Sequence, residues 1–195
     1  LGASTKIGSA NLKLNGLYVS GDNKAGDNPS IGIKKKGFYT PGSWSLASSW
    51  MGLTGMKIIF PDIDATNQDQ YLIYDPTNTL EQRPLGVMAL MLTGDMPLGK
   101  KTTLEGGLGV AASAKKRAVN NESYMATEVN VGVHHALWKN VSVGLVGAYA
   151  FVGDFYEVTG AQAAAFNTTK VGNPVQANLD PADMYRLYAR MNYSF

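Results

Sequence analysis

The sequence predicts an all-β fold, an antiparallel sheet rolled into a transmembrane barrel, and three observations carry that expectation. The first is the alternation of the last stretch, Asp183 to Phe195. Tyr185, Leu187, Ala189, Met191, Tyr193 and Phe195 fall on one face, and Arg186, Tyr188, Arg190, Asn192 and Ser194 on the other. A strand of that length reaches roughly 40 Å at about 3.3 Å per residue, which suits a tilted bilayer crossing better than a strand of a soluble domain. The second is the return of the same period-two pattern in several upstream stretches. The third is an asymmetry of connections, with short turns at one end and long polar loops at the other.

The alternate residues Leu187, Ala189, Met191, Tyr193 and Phe195 resemble the C-terminal signal of bacterial outer-membrane β-barrels, whose terminal aromatic strand is what the barrel assembly machinery reads. The resemblance implies an outer-membrane location, with Tyr193 and Phe195 as the assembly signal. It also implies outer-membrane lipid, lipopolysaccharide and the assembly machinery as partners. A soluble β-sandwich or lipocalin-like protein is the competing reading of an amphipathic terminal strand.

Composition sets the outer bounds. With 195 residues, the chain fits one domain, 1–195. No run of about 18 apolar residues occurs, so a transmembrane helix is excluded. A barrel hides its membrane signal in alternation, so a mean hydropathy of -0.11 does not oppose one. Twenty-two glycines, ten tyrosines and three tryptophans suit tightly packed strands with aromatic girdles. The absence of cysteine excludes disulfide frameworks and thiolate metal sites. A net charge of +2, with basic and acidic residues interspersed, gives no reason to expect nucleic acid. Leu1 to Thr5 lacks the charged start and apolar core of a signal peptide, so the chain reads as mature, trimmed or part of a longer protein.

In order, Lys6 to Asp22 reads as a first strand with Leu12, Leu14 and Tyr18 opposite Asn11, Lys13 and Asn15, the pattern blurring at Leu17 and Val19. Its closing Tyr18-Val19-Ser20-Gly21-Asp22 resembles a strand end of the alginate-export-like porins of Gram-negative bacteria. Asn23 to Ser43 reads as a long exposed loop, and its Lys34, Lys35 and Lys36 could meet lipopolysaccharide phosphates or simply face water. Trp44 to Pro61 keeps no single period and is either a strand or a loop folded into the barrel mouth as a constriction. The Asp62-Ile63-Asp64 turn lacks the glycine and glutamate that a calcium loop needs at its sixth and twelfth positions. Gln68 to Asp75 can be a short strand.

From Leu85 the pattern is regular. Leu85 to Asp95 turns at Met96 to Lys100 into Lys101 to Ala114, and Glu122 to Leu137 turns at Trp138 to Asn140 into Val141 to Gly153. Within the third of these strands Met125, Val129, Val131, Val133 and Leu137 are expected opposite Glu122, Glu128, Asn130 and His134. Asp154 to Pro181 is a long loop. Six strands follow with two weaker candidates, so the chain is either an eight-stranded barrel or the C-terminal part of a larger one.

No catalytic constellation stands out, and an enzyme is not expected. His134 and His135 leave opposite faces of one strand and cannot chelate one ion together. No metal or cofactor is expected. Charged residues opposite the apolar rows must face inward, since Arg or Lys on a lipid-facing wall costs roughly 2 to 4 kcal/mol near the midplane. Lys13, Asn15, Glu105, Glu128, Asn130, His134, Arg186, Arg190 and Asn192 are therefore the expected pore-lining set. The expected function is a porin-like channel for passive passage of small hydrophilic solutes or ions, with a homo-oligomer left open. The alternative is a non-conducting small barrel, filled by paired side chains, that anchors or sheathes a partner.

Overall fold

A computed structural model describes residues 1–21, 55–59, 85–116, 120–159, 178–179 and 182–194. Seven strands form one antiparallel sheet: β1 (Gly2–Ile7), β2 (Ala10–Val19), β3 (Val87–Pro97), β4 (Thr102–Ala112), β5 (Tyr124–Trp138), β6 (Val141–Val152) and β9 (Met184–Tyr193), in the spatial order β1-β2-β3-β4-β5-β6-β9. A 3-10 turn at Asp154–Tyr156 follows β6. Beyond it, β7 (Val158–Thr159) and β8 (Asn178–Leu179) pair with each other. Among the described residues the sheet is not closed on itself.

Every neighbouring pair in the large sheet is antiparallel, and β1–β2, β3–β4 and β5–β6 are joined by short hairpins. Gly8, with φ 62, opens the two-residue link between Ile7 and Ala10, the position where primed hairpin turns require glycine. That hairpin corrects the expectation of one strand from Lys6 to Asp22: the chain folds back at Gly8-Ser9 and supplies two strands there. β2 pairs directly with β3 from Asn11↔Asp95 to Val19↔Val87. No strand therefore lies between these two. The sequence offers two weak strand candidates, at 46–60 and 68–75. Of the first, residues 55–59 are described and are not a strand. The second, like the loop 23–43 and Phe195, lies outside the described residues.

Cross-strand partners share a face of the sheet, and the register sorts the side chains into two sets. One row reads Leu14, Leu92, Leu108, Val129, Tyr149 and Tyr185; the next on the other face reads Asn15, Met91, Gly109, Glu128, Ala150 and Met184. The first face is apolar and open: Leu90, Leu108, Val131 and Leu145 are 50 to 56% exposed although each strand has neighbours on both sides. The second face, called inner below, carries the core. There Met56, Ile58 and Ile59 pack with Leu85, Val87, Ala89, Met91, Ala111, Ala126, Ala148, Ala150 and Phe155. The blurring at Leu17 has its reason here, because Leu17 packs against that core.

Two side chains depart from the alternation: Trp138, which a register shift after Ala136 pairs with Val141 in the outer row, and Met125. Met125, expected with Val129 and Val131, is fully buried. The register slips between Ala111 and Ala112, so that Ala112 faces Tyr124 while Ala111 faces Ala126. An inserted residue of this kind re-aims its side chain, and it delivers Met125 to the core. Removing the Met125 side chain (Met125→Ala) is expected to cost about 2 to 5 kcal/mol; a urea titration followed by Trp fluorescence measures it, and a loss below about 0.5 kcal/mol would place this methionine outside the core.

Candidate functional site

The polar residues of the inner face gather in two groups, one nearer the long connections and one nearer the hairpin turns. The first is built around Glu128. Residues 55–59 cross the inner face, and three successive backbone N–H groups, of Lys57, Ile58 and Ile59, donate to its carboxylate, the latter two at 2.9 and 3.0 Å. Glu128 is fully buried, a position that an ionised carboxylate holds only when its oxygens are satisfied. Asn130, two residues along the same strand and so on the same face, completes the arrangement. Its Nδ2 donates to Glu128 Oε1 at 3.0 Å and to the Gly55 carbonyl at 3.3 Å. From β9, Arg186 Nη1 donates to the Lys57 carbonyl at 2.8 Å while its guanidinium lies 4.7 Å from the centroid of the Tyr188 ring.

This clasp has room because the facing strand gives way. A Cβ on Gly109, the cross-strand partner of Glu128, would lie 2.7 Å from the Met56 methyl and would strike the Met91 sulfur. Glycine there lets the segment 55–59 lie close against the wall. Gly55 itself has φ 83, a backbone that glycine adopts at no cost.

The second group lies farther along the same face. Glu105 Oε2 on β4 is 3.0 Å from His134 Nε2 on β5. Arg190 Nη2 on β9 lies 3.2 Å from the same imidazole nitrogen. Two buried atoms, Glu105 Oε1 and Arg190 Nε, have no partner among the described residues. Asp95, the cross-strand partner of Glu105, accepts from Asn11 Nδ2 at 2.7 Å. Acidic groups thus stand on β3 and β4 and arginines on β9, with His134 between them. Such an arrangement can orient a polar or charged solute; among the described residues it holds no metal-binding group of three or more carboxylates and imidazoles.

All nine expected lining residues sit on the inner face. Glu128, Asn130 and Arg186 join in the clasp, and Glu105, His134 and Arg190 join in the second group. Lys13 and Asn15 stand on β2, in neither group, and Asn192 lies opposite Ser142 near the hairpin end. Tyr193 falls in the apolar outer row, across from Val141. His135 is on the outer face, where its Nδ1 lies 2.9 Å from Thr102 Oγ1. Sequence reasoning did not single out the backbone of 57–59. The one available sign was the apolar cluster Met56, Ile58 and Ile59 in a stretch without a strand period.

Comparison with protein-family models, with curated proteins and with solved structures gives no match to this chain. The reading of the site accordingly rests on its own geometry.

Replacing the clasping carboxylate (Glu128→Ala) leaves three backbone N–H groups without acceptors, each costing about 1 to 3 kcal/mol if it stays buried. The segment is expected to detach instead, and amide exchange at 57–59 should quicken by at least tenfold while that of β4 to β6 holds. Unchanged exchange at 57–59 would show that the apolar contacts alone retain it.

Proposed function

We propose that this sheet is part of the wall of a barrel in the bacterial outer membrane and that the protein is a porin-like channel for small hydrophilic solutes or ions. The observation that supports the membrane part is the outer face. An apolar band of Leu90, Leu92, Leu108, Val110, Val129, Val131, Val133, Leu145 and Leu187 is exposed. Aromatic residues flank it: Tyr18, Tyr149, Phe151 and Tyr185 toward the long connections, Trp138 and Tyr193 toward the hairpins. From Tyr185 to Tyr193 the strand advances eight residues, roughly 26 Å at about 3.3 Å each, close to the height of the apolar band of outer-membrane barrels. A soluble sandwich would bury the Leu, Val and Tyr face, whereas here the core lies on the opposite one. Among the described residues no helix is long and apolar enough to cross a membrane.

The channel part rests on the inner face. Lys13 and Asn192 are exposed there and Glu105, His134, Arg186 and Arg190 partly so, which suits a wet lumen biased by fixed charge. Segment 55–59 would narrow that lumen, and the apolar contacts of Met56, Ile58 and Ile59 would hold it to the wall. The same packed segment is the observation that favours the second reading, a non-conducting barrel whose interior is filled and which anchors or sheathes a partner protein. Assembly would use the terminal strand, with Tyr193 and Phe195 read by the barrel assembly machinery.

Conductance of the detergent-folded protein in a planar bilayer tests the channel: reproducible open steps are expected, and silence from inserted protein would favour the filled barrel. Arg190 is the better selectivity probe, because Arg186 also holds the segment. Arg190→Ser should move the reversal potential in a salt gradient toward cation preference, and an unmoved potential would remove Arg190 from the lumen. On the outer face, Val131→Arg should lower membrane-folded stability by about 2 to 4 kcal/mol; equal stability in a urea titration from lipid vesicles would mean that Val131 does not face hydrocarbon.

A further inference from the structure

The direction of the strands constrains what completes the wall. Six antiparallel steps separate β1 from β9 in the order β1-β2-β3-β4-β5-β6-β9. An even number of reversals leaves the first and last strands parallel. On the membrane reading given above, both outer edges must be hydrogen-bonded, because hydrocarbon offers no partner for backbone N–H and C=O groups. Joining β1 to β9 directly would make a seven-stranded barrel with one parallel seam, below the eight strands at which bacterial barrels begin.

A second copy of the sheet does not solve this. Two copies with their long connections on the same side of the membrane would meet β1 to β9, again parallel. A copy turned over would meet β1 to β1 and β9 to β9 in antiparallel fashion, but its short hairpins would lie on the opposite side of the bilayer. Nor is the wall wider between β2 and β3, which pair directly with each other over nine residues.

We infer that the wall is completed by an odd number of further strands from the same polypeptide, inserted between β1 and β9 and antiparallel to both. Their sides follow from the edges they join. On β1, Ala3, Thr5 and Ile7 share the outer face with Leu14, Leu12 and Ala10, and Gly2, Ser4 and Lys6 share the inner face with Asn15, Lys13 and Asn11. On β9, Leu187 and Met191 point out and Arg186 and Arg190 in. The closing strands must repeat that alternation, apolar outward and polar inward.

The chain contains no cysteine, so introduced thiols report alone. In the full-length protein assembled in outer membranes, Thr5→Cys is combined in turn with Tyr185→Cys, Leu187→Cys, Ala189→Cys and Met191→Cys. Thr5→Cys with Leu12→Cys and Leu145→Cys with Ala189→Cys serve as adjacent-strand controls. The controls should oxidise to intramolecular disulfides, and the β1–β9 pairs should not. Thiol linkers spanning about 10 Å should join one β1–β9 pair if a single strand intervenes, and only linkers near 19 Å if three do, at about 4.8 Å per strand. A direct β1–β9 disulfide within one chain, a disulfide between two chains, or closure only by a linker of about 14 Å would overturn the inference. Recovery of the folded protein without detergent would instead remove the membrane reading on which it rests, and absence of the Thr5→Cys with Leu12→Cys disulfide would show that β1 is not in the wall.

Discussion

The period of two along a paired strand is the constraint on which the molecule depends. Each residue of β3 to β6 and β9 is committed to one face by its neighbour, and each cross-strand ladder commits the next strand to the same division. The consequence is that the apolar and the polar sets cannot be chosen separately. Leu108 is out because Gly107 and Gly109 are in, and these glycines leave the inner space that Met91, Asn130 and Met56 occupy. Two register shifts break the rule: one beside Trp138 at the hairpin end, and one beside Met125, where the core needs one more large side chain.

Much of this was legible in the amino-acid sequence. The strands from Leu85 to Gly153 and the terminal strand were readable to within about two residues, because alternation over ten or more positions leaves few other interpretations. That the nine polar residues share one face of the sheet was readable for the same reason. What escaped was local or non-periodic. The Gly8-Ser9 turn hid inside a stretch that continues the alternation on both sides, so two strands read as one. Met125 obeys the period in the sequence and is displaced by a bulge that the sequence does not mark. Glu128 was legible as an inward carboxylate, but its partners are backbone amides some seventy residues earlier, and backbone donors carry no side-chain signature.

The clasp and the second polar group make different demands on the wall. Glu128 is satisfied by Lys57, Ile58, Ile59 and Asn130 and acts as a fixed anchor for a segment that has an apolar underside. Glu105 and Arg190, which meet at His134, each have one buried atom without a partner among the described residues.

The glycines opposite the large inner side chains carry a further consequence. A Cβ on Gly132 would press on Glu105, and one on Gly144 would strike the His134 ring. Bulk on one strand is matched by its absence on the next, so the inner surface is a mosaic whose volume can be exchanged across a seam. A paired exchange, small for large on one strand and large for small on its neighbour, would move a functional group sideways by one strand width while the backbone ladder and the apolar exterior stayed as they are. The sheet is thereby a scaffold on which the contents of its inner face can be rearranged without being rebuilt.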